Sequence, residues 1–155
     1  MREKKYTAII LKKQPYGEGD EIVTLYTKET GKMRVLAHSS KLAKSKMQHA
    51  LQVLFLVNAT LAHSRSGLSK IIGSEVLNPF IGIRENLTAA TAALYAQELA
   101  LKFTADLEQN VELFTVLSNF LQGISVSMED HVHSLLAKFK IDFLSTVGVA
   151  VQGID

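Results

Sequence analysis

The spacing of the apolar residues changes once along this chain, at Asn78-Pro79, and this change limits the possible folds more than any other feature. Before it, apolar and polar residues tend to alternate, which is the period of a half-buried strand. After it, apolar residues recur every three to four positions, as in an amphipathic helix. We therefore predict an α+β chain, with an all-β unit over residues 1–79 and a helical unit over residues 80–155.

Five strands are predicted in the first part, each bounded by Gly, Ser, Pro or a charged cluster. The clearest alternation lies in the fourth, where apolar side chains from Leu51 to Leu61 share one face. A turn at Glu29-Thr30-Gly31-Lys32 joins the second and third strands into a hairpin, because glycine adopts positive φ without steric cost. The predicted strands are Tyr6–Lys13, Glu21–Lys28, Lys32–His38, Ala50–Ala62 and Leu68–Val76.

Three amphipathic helices are predicted in the second part. The first spans about Asn86–Ala105, where Leu87, Leu94 and Leu101 recur at seven-residue spacing among good helix formers. The second follows Asn110, and the third has Ser127 as its expected N-cap and Gly148 as its expected stop. The predicted apolar stripes are Phe114, Leu117, Leu121 and Ile124 in the second helix, and Val132, Leu135, Leu136, Phe139, Phe143 and Val147 in the third.

Charge divides the chain at the same place. Residues 1–79 hold thirteen Lys and Arg against six Asp and Glu, a net charge of +7, whereas residues 80–155 hold four against nine, a net charge of −5. The hairpin leads into a basic loop, in which Lys41, Lys44 and Lys46 have no acidic neighbour. A basic half points to a polyanion such as nucleic acid. The alternative is that both halves are merely solvated surfaces.

Composition and spacing exclude several classes of site. Without cysteine, these residues form no disulfide, thiolate-zinc site or cysteine nucleophile. No apolar run approaches the ~20 residues of a membrane span, and the N-terminus lacks the apolar segment of a signal peptide, so the cytoplasm is expected. Glu129, Asp130, His131 and His133 suggest metal ligands, but helical side chains two residues apart point roughly 200° apart. We predict no metal, no cofactor and no catalytic residue.

A five-stranded unit of about 80 residues suits a small barrel, and its charge favours the oligonucleotide-binding (OB) fold over a sandwich. Several segments, in this order, resemble the amino-terminal domain of the bacterial recombination mediator family RecO. They are Thr7-Ala-Ile-Ile-Leu, Tyr16-Gly-Glu-Gly-Asp, Leu25-Tyr-Thr-Lys-Glu-Thr-Gly-Lys and Ala37-His-Ser-Ser-Lys-Leu-Ala-Lys-Ser-Lys. Further on, Glu75-Val-Leu-Asn-Pro-Phe and Ile83-Arg-Glu-Asn-Leu resemble the family's junction into its helical domain.

The resemblance implies a non-enzymatic DNA-repair factor of the bacterial cytoplasm and nucleoid. Such a factor binds single- and double-stranded DNA, anneals complementary strands, and acts with RecR and single-stranded-DNA-binding protein in recombinase loading. This chain departs from the family pattern in two places. It has His38-Ser39 where the family usually has Lys-Gly, and it ends at Asp155 without the four-cysteine zinc-binding segment that commonly follows. We expect either a short natural variant or a truncated chain.

The candidate site residues follow from charge and from the resemblance. Cations on loops can neutralise phosphates, and tyrosines can stack on bases, although barrel packing is the alternative for the tyrosines. The predicted DNA contacts are Lys32, Arg34, His38, Lys41, Lys44, Lys46, Arg65, Lys70, Tyr16 and Tyr26. Lys138, Lys140, Phe139 and Phe143 are the predicted partner surface, for a second copy or for the acidic tail of single-stranded-DNA-binding protein. The competing hypothesis is a protein-interaction module that docks a partner on its helices and binds no DNA.

Overall fold

The computed structural model describes residues 2–38 and 47–148 of the chain. Its backbone separates into two compact units. The first comprises Met1–Pro79 together with Asp106–Gln109, and the second comprises Phe80–Ala105 and Asn110–Asp155. The chain therefore leaves the first unit after Pro79, returns to it for one short segment, and then leaves it again.

Within the described residues of the first unit there are five strands: β1 (Arg2–Tyr16), β2 (Asp20–Thr27), β3 (Gly31–Ala37), β4 (Leu56–His63) and β5 (Lys70–Asn78). They close into a barrel in the order β1-β2-β3-β5-β4. The first half of β1 pairs with β4 and its second half pairs with β2, so this one long strand closes the barrel. The order is that of a five-stranded OB fold, and the predicted α+β class is confirmed.

Alternate residues of the strands point into the barrel, as a period of two requires. A register shift after Ile10 lets β1 bend from one partner strand to the other. Removing each large aliphatic side chain from water contributes about 1.5–3 kcal/mol, so this interior is the main source of the barrel's stability. The interior cluster is Tyr6, Ala8, Ile10, Val23, Leu25, Met33, Val35, Ala37, Met47, Leu51, Val57, Ala59, Leu61 and Ile71.

The hairpin between β2 and β3 has the turn that its residues predict. Gly31 adopts a φ of 79°, a region open to glycine. The Thr27 hydroxyl donates to the Gly31 carbonyl at 2.9 Å and accepts from the Thr30 N–H at 2.9 Å. The turn is thus closed by a side chain as well as by the strand ladder.

The prediction that the fourth strand starts at Ala50 is wrong, because β4 starts at Leu56. Leu54 adopts a φ of 70°, and its N–H donates to a carbonyl of β1, so the backbone turns before the strand begins. Leu51 is nevertheless buried in the interior cluster, and Phe55 packs against that cluster. The side chains alternate inward along a backbone that is not extended, and this is why alternation overstated the strand.

The part of the second unit that ends at Gly148 contains four helices: α1 (Ile81–Glu85), α2 (Leu87–Phe103), α3 (Val111–Val126) and α4 (Glu129–Thr146). The last three correspond to the predicted helices, and α1 was not predicted. The predicted stripes of α3 and α4 are confirmed, since their members are buried or half-buried. Gly148 has a φ of 81° just after α4, as expected of a helix stop. Among the described residues, no helix is both long and apolar enough to cross a membrane.

Two details of the helical unit differ from prediction. The buried face of α2 consists of alanines, while Leu87 and Leu94 of the predicted leucine stripe are exposed, because the small side chains take the packed side of the helix. Ser127 does not cap α4. Its hydroxyl donates to the Gly123 carbonyl in the last turn of α3, and Met128 is the N-cap residue of α4. The buried alanines are Ala89, Ala92, Ala93, Ala96 and Ala100.

Candidate nucleic-acid interface

The outer face of β3 carries two of the predicted cations. Because Met33 and Val35 point into the barrel, the residues beside them, Lys32 and Arg34, point outward. The Arg34 side chain is 61% exposed, whereas that of Lys32 is only 12% exposed. This face of strands 2 and 3 is one of the surfaces that OB folds use to bind oligonucleotides.

Both cations on β3 meet one carboxylate, that of Asp106. The Asp106 Oδ2 atom lies 3.3 Å from Arg34 Nη2, and its Oδ1 atom lies 3.8 Å from Lys32 Nζ. Asp106 belongs to the short segment that returns to the barrel unit between α2 and α3. Sequence reasoning missed this residue, since the charge count shows only that acidic residues exist in that half and not which cation they approach.

The loop between β4 and β5 lies beside β3. The Leu36 N–H of β3 donates to the Ser69 carbonyl at 2.9 Å. His63 holds the base of this loop, because its Nδ1 atom lies 3.0 Å from the Ser69 hydroxyl and its Nε2 atom lies 2.8 Å from the Tyr6 hydroxyl. Burial is the main cause that raises the pKa of Tyr6, with the Glu29 carboxylate adding to it, so this phenol stays neutral.

A cleft of about 210 Å³ lies where β3, this loop and the Asp106 segment meet. Arg65 is exposed in the loop, and Lys70, half-buried, follows it at the register position opposite Leu36. The structure thus brings the β3 cations and the cationic loop to one side of the barrel. The cleft is lined by Lys32, Met33, Arg34, Gly67, Leu68, Ser69, Asp106 and Leu107.

Two other predicted contacts, His38 and Tyr16, lie near the C-terminal end of β3, which is the end away from Lys32. His38 follows that strand, and its Nδ1 atom lies 3.4 Å from the Asp20 carboxylate. Tyr16 is opposite Asp20 in the β1–β2 register, and its side chain is 56% exposed. The Tyr16 ring is therefore open to solvent at the β1–β2 loop, a second region that OB folds use for oligonucleotides.

Tyr26 does not share that accessibility. It is 1% exposed, so its ring offers no face on which a base could stack, and we remove it from the candidate contacts. Burial first, and then the Glu108 carboxylate, raise the pKa of Tyr26 to about 12. The basic-loop residues Lys41, Lys44 and Lys46 lie outside the described residues, and their role stays a prediction.

The predicted partner residues of α4 do not form one patch. Phe139 and Phe143 are both 2% exposed, and Phe139 stacks on Phe120 with ring centroids 4.5 Å apart. They belong to the helical core, because the stripe that predicted an open surface is covered by neighbouring helices of the same unit. Lys138 and Lys140 point to different sides of α4, as residues two apart on a helix must.

Each of these lysines lines its own cavity. Lys138 forms an ion pair with Asp142 at 2.6 Å, beside a cavity of about 210 Å³ between α3 and α4. Lys140 lies over the Tyr95 ring, 4.8 Å from its centroid, at a cavity of about 360 Å³ between α2 and α4. That larger cavity is mostly apolar, and is lined by Tyr95, Leu99, Phe103, Lys140, Phe143, Leu144 and Val147.

Within residues 2–38 and 47–148, no three His, Asp or Glu side chains are grouped so that they could hold a metal ion. His131 and His133, which superficially suggest a metal pair in the sequence, are both exposed on the first turns of α4.

Comparison with known proteins identifies the relatives of this chain. The family model described as "Recombination protein O N terminal" matches residues 1–80, and "Recombination protein O C terminal" matches residues 84–153. The chain is 32% identical to the DNA repair protein RecO of Myxococcus xanthus over 92% of this chain and 57% of the relative. It is 31% identical to that of a Cyanothece species over 96% and 50%, and 30% identical to that of Geobacter metallireducens over 98% and 61%. The chain spans between 50% and 61% of the length of these relatives. On these matches, the chain belongs to the recombination protein O family.

Proposed function

We propose that this chain is a non-catalytic DNA-repair factor. It binds single- and double-stranded DNA along the barrel, promotes annealing of complementary strands, and assists recombinase loading with RecR and single-stranded-DNA-binding protein. Its place of action is the bacterial cytoplasm, on the nucleoid. The names of the relatives, all DNA repair proteins, support the repair role.

One observation carries the DNA-binding part of this proposal. The β3 face and the β4–β5 loop, which lie at a common cleft, hold Lys32, Arg34 and Arg65 on a barrel whose strand order is that of an OB fold. Cations on such a surface track a phosphate backbone without reading bases, which is the binding that an annealing factor needs. The net charge of +7 over residues 1–79 supports the same ligand.

The test is the salt dependence of binding to a labelled single-stranded oligonucleotide. Each phosphate contact contributes about 0.7 to the slope of log affinity against log salt. We expect Arg65→Ala to lower affinity and to flatten the slope by about 0.7, and the triple change of Lys41, Lys44 and Lys46 to Ala to flatten it by about 2. Annealing of complementary strands should also slow, and it should slow more in the triple lysine variant than in Arg65→Ala.

Lys102→Ala is the matched control. Lys102 is an exposed cation of the helical unit that pairs with Glu98 on its own helix, so its removal changes net charge equally but should leave the slope unchanged. If the wild-type protein does not bind the oligonucleotide at low salt, the proposal of DNA binding is refuted. Equal effects of Arg65→Ala and Lys102→Ala would refute the barrel surface as its site.

The second candidate function is partner docking by the helical unit, with or without DNA. The supporting observation is the apolar cavity between α2 and α4, which carries one cation, Lys140, at its edge. An acidic peptide with apolar side chains suits this chemistry, and the carboxy-terminal tail of single-stranded-DNA-binding protein is the candidate that the family resemblance implies.

Because Lys138 and Lys140 line different cavities, each single variant is the control for the other. We expect Lys140→Ala to weaken binding of a tail peptide about tenfold or less, the range for one exposed charge, and Lys138→Ala to leave it near wild type. Fluorescence anisotropy of a labelled peptide measures both. The reverse order would move the site to the α3–α4 cavity, and no peptide binding at all would reject the docking hypothesis.

A further inference from the structure

The segment Asp106–Gln109 docks along an edge of β3 that the barrel leaves open. β3 pairs with β2 over its whole length, but β5 meets it at one described register position, Leu36 opposite Lys70. At the other end of this edge, the Leu107 N–H donates to the Lys32 carbonyl at 2.8 Å. The returning segment therefore makes a single parallel β-bridge, Lys32 opposite Asp106, on the edge next to the cleft.

Gly31 makes this close approach possible. A Cβ atom built at this position would collide with the carbonyl group of Glu108, so only glycine leaves room for the segment. Leu107 adopts a φ of 57°, a conformation that costs a side-chain-bearing residue about 1 kcal/mol or more. The segment is thus held in a strained form by specific contacts with β3.

One charge of the segment, the Asp106 carboxylate, lies on two of the predicted phosphate contacts. The Asp106 carboxylate offers one oxygen to Arg34 and the other to Lys32, as a phosphate group offers two oxygens to two cations. Arg34 and Asp106 are 61% and 51% exposed, so water and ions reach this pair. The Arg34 pair is exposed, where an ion pair contributes only about 0–1 kcal/mol, and the Lys32 pair is long at 3.8 Å, so a phosphate can displace the carboxylate.

We propose that Asp106 is an internal competitor that occupies the place of a nucleic-acid phosphate at Lys32 and Arg34. This inference rests on the proposed DNA binding and adds its regulation. While Asp106 is docked, β3 contributes little to binding, and the exposed loop cations make the first contacts. DNA binding at both β3 cations requires a phosphate of the incoming nucleic acid to replace Asp106 in its two ion pairs.

The competition predicts two linked changes on replacing the carboxylate with an amide. Asp106→Asn should bind single-stranded oligonucleotide about three- to tenfold more tightly at low salt, because two weak ion pairs no longer have to be broken. It should also steepen the salt slope by up to about 1.4, since binding at Lys32 and Arg34 then releases counterions instead of the carboxylate. Circular dichroism should show an unchanged fold.

Glu108→Gln is the matched control. It removes the same charge from the same segment, but among the ion pairs of the described residues none includes Glu108. It should raise affinity by less than twofold and leave the slope unchanged. The gain from Asp106→Asn should vanish in a Lys32→Ala, Arg34→Ala background, because the competitor then has nothing to compete for.

Gly31→Ala should also release Lys32 and Arg34 from Asp106, since its added methyl group displaces the segment while Asp106 stays charged. It should also increase affinity, and Gly17→Ala is its control, a glycine with positive φ and open space around it. Weaker or unchanged binding by Asp106→Asn, with a wild type that binds, would overturn the competitor and leave DNA binding standing. Failure of both proteins to bind at low salt would overturn both proposals.

Discussion

The phenol of Tyr26 gives the barrel a dependence on alkaline pH. Its pKa is raised to about 12 from the ordinary 10.0, first by burial and then by Glu108. The folded state therefore keeps this proton at pH values where the unfolded chain loses it. This contribution is complete below about pH 10 and is lost as pH rises toward about 12, since the unfolded state then binds fewer protons.

We expect wild type to lose stability more steeply than Tyr26→Phe in this window, by up to about 1.4 kcal/mol per pH unit for one proton. Urea denaturation of both proteins over a pH series measures the difference. Glu108→Gln should leave the onset of the loss near pH 10 but complete it at lower pH, with a smaller total loss, because a carboxylate that raises the folded-state pKa of Tyr26 is gone. Parallel curves for wild type and Tyr26→Phe would contradict the burial of this group.

Among elements, α1 shows how a short helix is fixed by one glycine. The Cα atom of Gly82 lies against the backbone of Ser125 near the end of α3, and an added Cβ would collide with the Ser125 carbonyl. Backbone atoms in a packed helix cannot turn aside. We expect Gly82→Ala to destabilise the helical unit by about 1–3 kcal/mol, the usual cost of overpacking, as read from urea denaturation followed by the helical signal.

Gly123→Ala is the comparison, because it makes the same chemical change inside α3. Its Cβ would meet the flexible end of the Leu135 side chain at 3.1 Å, which can move. Alanine also favours the helix over glycine by about 0.5–1 kcal/mol. This variant should be neutral or slightly stabilised, and a loss equal to that of Gly82→Ala would show that close backbone approach is not what fixes α1.

Elements differ in how far the sequence predicts them. Large apolar residues at strand or helix period identified the β strands and the inner faces of α3 and α4, because such side chains have few alternatives to burial. The inner face of α2 escaped prediction, since alanine is both a good helix former and indifferent to exposure. The turn at Leu54 was not predicted either, because no local sequence pattern indicates that a leucine will adopt positive φ.

For the whole molecule, the change of period and charge near Pro79 predicted the order of a β unit and a helical unit. It could not predict that residues 106–109 return to the barrel. An ion pair between Arg34 and Asp106 depends on the register of two segments 72 residues apart, and no local pattern encodes that register. The cations of the candidate interface were therefore readable from the sequence, whereas their competitor was not.

The returning segment also bears on how this protein can be divided. A fragment that stops at Pro79 contains the five described strands, yet it lacks part of the first unit, because Asp106–Gln109 is left on the other piece. The edge of β3 at Lys32 would then lose the hydrogen bond from the Leu107 N–H and would lie open beside Gly31 to any strand that approaches. Open edges of this kind promote pairing between molecules. We expect the isolated fragment to associate with itself and a peptide carrying residues 106–109, supplied separately, to suppress that association.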